Sequence, residues 1–168
     1  DVKPENILFT GGETCLGDFG IARALEQALE QSTTSTGLVR GTPAYMSPEQ
    51  ASGQTDFDGR SDIFSLGCVL FEAIAGVPPF VAATPQSVIA LRLARTPDAV
   101  SLYRDTVPTS LDRVVATCLQ RAPADRYQTA GEVVAALDAA LADVDNPSAP
   151  RAHTRRRVLA TRWGIRAA

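Results

Sequence analysis

One lysine, one histidine, one tryptophan and one methionine are all that the 168 residues hold of those four types, and cysteine occurs only three times. The lone histidine, His153, lies in the C-terminal stretch. Cys15, Cys68 and Cys118 are far apart, with no Cys-x-x-Cys among them, so the ligand spacing of a zinc or iron–sulfur site is excluded. In their apolar contexts they read as reduced core residues. No apolar run of about eighteen residues and no signal-peptide pattern occurs, which makes a reducing cytoplasm the expected compartment. No repeat with a period of roughly 20 to 50 residues is present, excluding a solenoid.

Acid is also missing from one end. All nineteen Asp and Glu residues precede Pro147, giving residues 1–146 a net charge of −9, whereas the last 22 residues carry six arginines and no acid, a net +6. The break at Asn146-Pro147-Ser148-Ala149-Pro150 predicts a globular unit over 1–145 and a basic tail over 146–168. Arg151, Arg155, Arg156, Arg157, Arg162 and Arg166 around Trp163 read first as a solvated, disordered linker. Proximity to an anionic membrane, as a juxtamembrane segment, is the sharper alternative, and nucleic-acid binding is not expected. Fifteen of the sixteen basic residues are arginine. Lys3 is therefore singled out as a compact point charge of the kind that meets phosphate.

Lys3 sits within Asp1-Val2-Lys3-Pro4-Glu5-Asn6, and Asp18-Phe19-Gly20 follows shortly after. Phosphoryl transfer needs a carboxylate to orient the attacking hydroxyl, oxygen ligands for Mg²⁺ and positive charge on the moving phosphate. Asp1, the pair Asn6 and Asp18, and Lys3 match those needs in that order. Between them Ile7–Thr10 and Glu13–Leu16 read as strands joined at Gly11-Gly12, a hairpin that would return Asp18 to the side of Asn6. Two such oxygen ligands suffice for Mg²⁺, which keeps waters and phosphate oxygens in its octahedron.

These motifs resemble the eukaryotic-type (Hanks-type) serine/threonine protein kinases of the bacterial kind. The resemblance continues through Gly41-Thr42-Pro43-Ala44-Tyr45-Met46-Ser47-Pro48-Glu49, similar to the end of a kinase activation segment with Ser47 where Ala is commoner, and it runs to about Ala142. It implies ATP and Mg²⁺ as cofactors and proteins with Ser or Thr acceptors as substrates. Asp1 would be the catalytic base, Lys3 would neutralise the transferred phosphate, Asn6 and Asp18 would hold the metal, and Leu8 would floor the adenine. Thr42 would bond the base region and help hold the acceptor hydroxyl. Glu49 and Arg126 would form a buried ion pair, and Asp62 would accept backbone hydrogen bonds from the catalytic loop; a helix-dipole role is the plainer reading of Asp62. Thr33, Thr34 and Thr36 lie where such enzymes are switched by phosphorylation, though an unmodified polar loop has the same composition.

Beyond the activation segment the pattern is helical. Ser61 is expected to cap a helix running to about Ala75, stopped by Gly76 and Pro78-Pro79, with apolar residues on nearly every side. Thr84-Pro85 should open a second helix carrying Val88, Ile89 and Leu93. Ser110 should cap a third, with Leu111, Val114, Val115, Cys118 and Leu119 on one face. Thr129 and Glu132 read as a capping box for a fourth, with Val133, Val134, Leu137 and Leu141 as its core stripe. The fold class expected is mainly α with a small β-hairpin, the large C-terminal lobe of a protein kinase, the N-terminal lobe being absent. A glycine-rich loop, a strand lysine and its glutamate would lie before residue 1, so the chain by itself is expected to be inactive. A non-catalytic kinase-like lobe that binds proteins, or a nonfunctional gene fragment, are the competing readings.

Overall fold

Gly11 and Gly12 both adopt positive φ, 62° and 86°, the backbone that a two-residue hairpin turn demands and that glycine adopts without steric cost. They join β1 (Ile7–Thr10) to β2 (Glu13–Leu16) in an antiparallel pair whose register sets Ile7 opposite Leu16 and Leu8 opposite Cys15. The computed structural model describes residues 2–17 and 44–144, and over these the chain is mainly helical with this one small two-stranded sheet. The predicted boundary near Asn146 lies outside the described residues.

Among the described residues five α-helices follow: α1 (Pro48–Ala51), α2 (Arg60–Ala75), α3 (Pro85–Ala94), α4 (Thr109–Cys118) and α5 (Ala130–Val144). The centre is α2. Its Phe64, Cys68 and Phe71 are fully buried and pack with Val115 and Leu119 from the α4 end, and with Phe80, Val100 and Val107 from the connections. Burying each such phenylalanine is worth about 1.5–3 kcal/mol. The two helices approach closely at Gly67, where an added Cβ would stand 2.7 Å from Cys118 Cβ. Gly76, at φ 74°, closes α2 by donating its N–H to the Glu72 carbonyl at 2.8 Å, the left-handed stop predicted from sequence.

Other predictions need correction. Ser61 does not cap α2: Gly59 occupies the N-cap, the Asp58 carboxylate accepts the Arg60 N–H at 3.0 Å, and Ser61 lies inside the helix with its hydroxyl turned to Glu49. Nor is α2 buried on every side, since Asp62 and Ala73 are exposed and Leu66, Val69, Leu70 and Ile74 only half-buried. Helix α4 begins at Thr109 after Pro108, so Ser110 falls in its first turn rather than at the cap. There Asp112 ties the helix to the preceding 3-10 turn, accepting from Val100 N–H at 2.9 Å and Ser101 Oγ at 2.7 Å.

Thr84 caps α3 as expected, its Oγ1 accepting the Ser87 N–H. On α5, Thr129 Oγ1 accepts from Glu132 N–H, but the Glu132 carboxylate accepts from Gln128 N–H, one residue upstream of a reciprocal box. The α5 core stripe is also narrower than predicted. Val133 and Ala140 are buried and Leu137 half-buried, whereas Val134 and Leu141 are 56% and 58% exposed. Val133 and Leu137 pack with Ile63 and Cys118, Ala140 follows on that side of α5, and Val134 and Leu141 lie round the helix from it. No helix among the described residues is long and apolar enough to cross a membrane.

Candidate functional site

The front of the site is a 3-10 turn, Pro4–Asn6, leading into β1. Asn6 donates its backbone N–H to the Lys3 carbonyl at 3.0 Å and accepts the Gly17 N–H on its own carbonyl at 2.7 Å. The second bond closes the open end of the hairpin, so the loop ending at Asn6 is pinned to the residue immediately before Asp18. Asn6 is buried and Lys3 half-buried. Leu8 is 52% exposed, and a Cβ at Gly17 would come within 3.1 Å of Leu8 Cδ1. The absent side chain at Gly17 thus lets Leu8 lie against the returning strand. Asp1, Asp18, Thr33, Thr34, Thr36 and Thr42 lie outside the described residues.

Asp62 sits in the first turn of α2, where a negative charge complements the helix dipole. Its carboxylate accepts no hydrogen bond among the described residues. It lines a cavity of about 510 Å³ that Val2, Ile7 and Leu16 also line.

Behind lies a dense set of tethers on residues 44–49. Ser47 and Gln50 form a reciprocal capping box that opens α1: Gln50 N–H donates to Ser47 Oγ, and Ser47 N–H to Gln50 Oε1. From α1, the buried Glu49 reaches Arg126, also buried, in a two-pronged pair, with Nη1 to Oε1 at 2.7 Å and Nη2 to Oε2 at 2.8 Å. Ser61 Oγ adds a third bond to Oε1 at 2.6 Å. Arg126 spends its remaining donors on the carbonyls of Gln120, Arg121 and Arg60. All five guanidinium N–H groups are therefore matched, the condition under which a buried ion pair is not a liability. Burial alone would push the Glu49 carboxyl up, but the bonds from Arg126 and Ser61 and the arginine's charge outweigh it and hold it at about 2.

Tyr45 is anchored twice. Its carbonyl accepts from Ser65 Oγ at 2.8 Å, and its hydroxyl donates to Glu72 Oε2 at 2.6 Å. Burial, and then that carboxylate, pushes the phenol well above its ordinary range. One residue earlier, the Ala44 carbonyl accepts from Arg92 Nη2 at 2.6 Å. Arg92 is fully buried on α3, its guanidinium 5.1 Å from the Phe80 ring centre and 5.7 Å from that of Phe64, while Arg126 lies 5.0 Å from Phe64. Burial lowers the Arg92 pKa from its ordinary value, though a guanidinium remains charged.

Sequence reasoning named Glu49 and Arg126, which the structure brings together, took Ser61 for a cap, and missed Arg92, Ser65 and the Tyr45–Glu72 bond. One signal for Arg92 was available: it follows Val88 by four residues and so shares that residue's core-facing side of α3.

A family model described as the protein kinase domain matches residues 1–136. The chain is 43% identical over 165 residues to a probable serine/threonine-protein kinase of Corynebacterium efficiens, an alignment covering 89% of this chain and 24% of that protein. It is 44% identical over 138 residues to the serine/threonine-protein kinase PknB of Mycobacterium leprae, covering 82% and 22%. With PknB of Mycobacterium tuberculosis the identity is 41% over 155 residues, covering 92% and 24%. The chain spans about a quarter of the length of these relatives.

Proposed function

This chain belongs to the protein kinase domain family, and on that premise we propose that the protein carrying it transfers the γ-phosphoryl group of ATP to serine and threonine hydroxyls of protein substrates. Its relatives are bacterial serine/threonine kinases. The single observation that carries the reading is the bond from Gly17 N–H to the Asn6 carbonyl. It draws Asn6 to the residue immediately before Asp18 in the chain, as a metal site shared by those two residues requires. The structure described here is then the larger, helical lobe.

In this reading Asp1 orients the acceptor hydroxyl and takes its proton as the oxygen attacks in line. Lys3 lies against the moving phosphoryl group, which is where the only lysine among sixteen basic residues has a use as a point charge. Asn6 and Asp18 supply oxygen donors of the kind Mg²⁺ takes. When bound, Mg²⁺ neutralises the charge on the phosphate oxygens. The exposed face of Leu8 offers an apolar surface for adenine, and Thr42 helps hold the acceptor beside Asp1. The tethers on Ala44, Tyr45 and Glu49 fix the far end of the acceptor-receiving segment to the helical core.

The test is Asp1→Asn in the full-length protein. General-base catalysis is worth about 10²–10⁴-fold, so turnover should fall by at least about 10²-fold while ATP affinity stays close to that of the wild type. Undiminished turnover would remove Asp1 from its role. The competing reading, a kinase-like lobe that only binds proteins, predicts no phosphate transfer by the full-length wild type.

A further inference from the structure

Helix α3 touches the core in an unusual way. Val88, Ile89, Leu91 and Leu93 are only half-buried, and the single fully buried residue of the helix is charged, Arg92. Taking a guanidinium out of water is costly, and an aliphatic side chain at that position would fill the same space without the cost. What an aliphatic residue could not do is hold the Ala44 carbonyl, to which Arg92 Nη2 donates at 2.6 Å. Phe64 and Phe80 flank the guanidinium, and their rings lie nearly parallel, 12° apart. Attraction between a cation and the rings stabilises Arg92 there.

Ala44 stands two residues after Thr42. Of the tethers described above, Arg92 acts closest to Thr42 in sequence and is the one supplied by α3; those on Tyr45 and Glu49 come from α2 and from Arg126. We propose that Arg92 is a positioning residue that sets the acceptor-receiving segment, so that α3 controls how protein substrates bind without contacting ATP. This role rests on the kinase reading, but the tether itself does not.

Two measurements separate them. Hydrogen exchange on the 168-residue chain reads the tether: Arg92→Met should speed exchange in peptides spanning residues 44–47 and leave residues 114–119 of the core unchanged. Steady-state kinetics of the full-length protein, with myelin basic protein as acceptor, read the role. Losing the charged hydrogen bond to the Ala44 carbonyl should raise the acceptor KM at least about tenfold and leave the ATP KM as it was. Arg92→Lys, which keeps a charge and a donor on a shorter stem, should lie between Met and wild type in both. If Arg92→Met exchanges faster throughout and is therefore unfolded, the Lys variant alone decides. Unaltered exchange at 44–47 in the deciding variant overturns the tether, and acceptor and ATP KM values rising together overturn the positioning role. Absence of phosphorylation by the wild type removes the kinase reading and the substrate role with it, while the exchange result still decides the tether.

Discussion

Replacing Glu49 by Gln should be strongly destabilising although it changes little more than one atom. The carboxylate accepts three hydrogen bonds, two from Arg126 and one from Ser61. An amide offers one oxygen in place of two, so an NH₂ group faces a donor and the buried guanidinium loses its counter-charge. Removing one partner of a buried ion pair costs about 3–5 kcal/mol. The depressed pKa of Glu49, which arises from these same bonds, gives the same order. A carboxyl held at about 2 against an ordinary 4.5 corresponds to about 3 kcal/mol at neutral pH. Because the folded pKa is depressed, this stability is fully present above the unfolded pKa and is lost as pH falls through the folded one. The difference in unfolding free energy between wild type and Glu49→Gln should therefore be about 3 kcal/mol at pH 7 and shrink steadily from pH 5 towards pH 2. Urea denaturation followed by circular dichroism on the 168-residue chain measures it. With domain stabilities of about 5–15 kcal/mol, the loss is readily resolved. A difference below about 1 kcal/mol at pH 7, or one that does not change with pH, would refute the reasoning, since either means that water screens the pair as it does a surface contact.

Two further substitutions or treatments test the packing. Gly67→Ala places a methyl group 2.7 Å from Cys118 Cβ, and overpacking of this kind should cost about 1–3 kcal/mol, read as a lowered melting temperature; an unchanged value would mean that α2 and α4 separate freely. Burial pushes the thiols of Cys68 and Cys118 up to about 12, whereas Cys15 is exposed. Thiolate is the reactive form, so iodoacetamide at pH 8 should label Cys15 alone in the folded chain and all three cysteines in urea; mass spectrometry that finds Cys68 modified as fast as Cys15 would contradict the buried placement.

What could be read from the sequence, and what could not, divides by how far away a residue's partner lies. The Gly11-Gly12 turn, the Thr84-Pro85 start and the Gly76 stop were legible because each depends on backbone conformation and on neighbours within four residues. Ser110 misled because α4 begins one residue earlier, at Thr109, and Ser61 because a serine before an apolar run is a cap only if nothing else claims it. At Ser61 the claim comes from Glu49, twelve residues back, whose charged oxygen is the stronger acceptor. The stripe on α5 failed for a related reason. Periodicity locates an apolar arc but not which part of it a neighbouring helix covers, so Val133 and Val134 looked equivalent although one is buried and the other exposed.

Residues 44–49 concentrate this difficulty. Apart from the local Ser47–Gln50 box, their partners lie 12 to 77 residues away: Ser65 and Glu72 for Tyr45, Arg92 for Ala44, and Ser61 and then Arg126 for Glu49. Only the last pair was accessible in advance, and then through the family's pattern rather than through anything local. The residues proposed for phosphate chemistry are crowded into short motifs, since reacting atoms must meet within a few ångströms and a short loop achieves that cheaply. The residues that hold the acceptor side are drawn from two separate helices, α2 and α3, and the loop before α5. Substitutions in the first group should therefore affect turnover, and those in the second should affect stability and the handling of protein substrates. Arg92 and Glu49 test that division from opposite ends of the same six-residue segment.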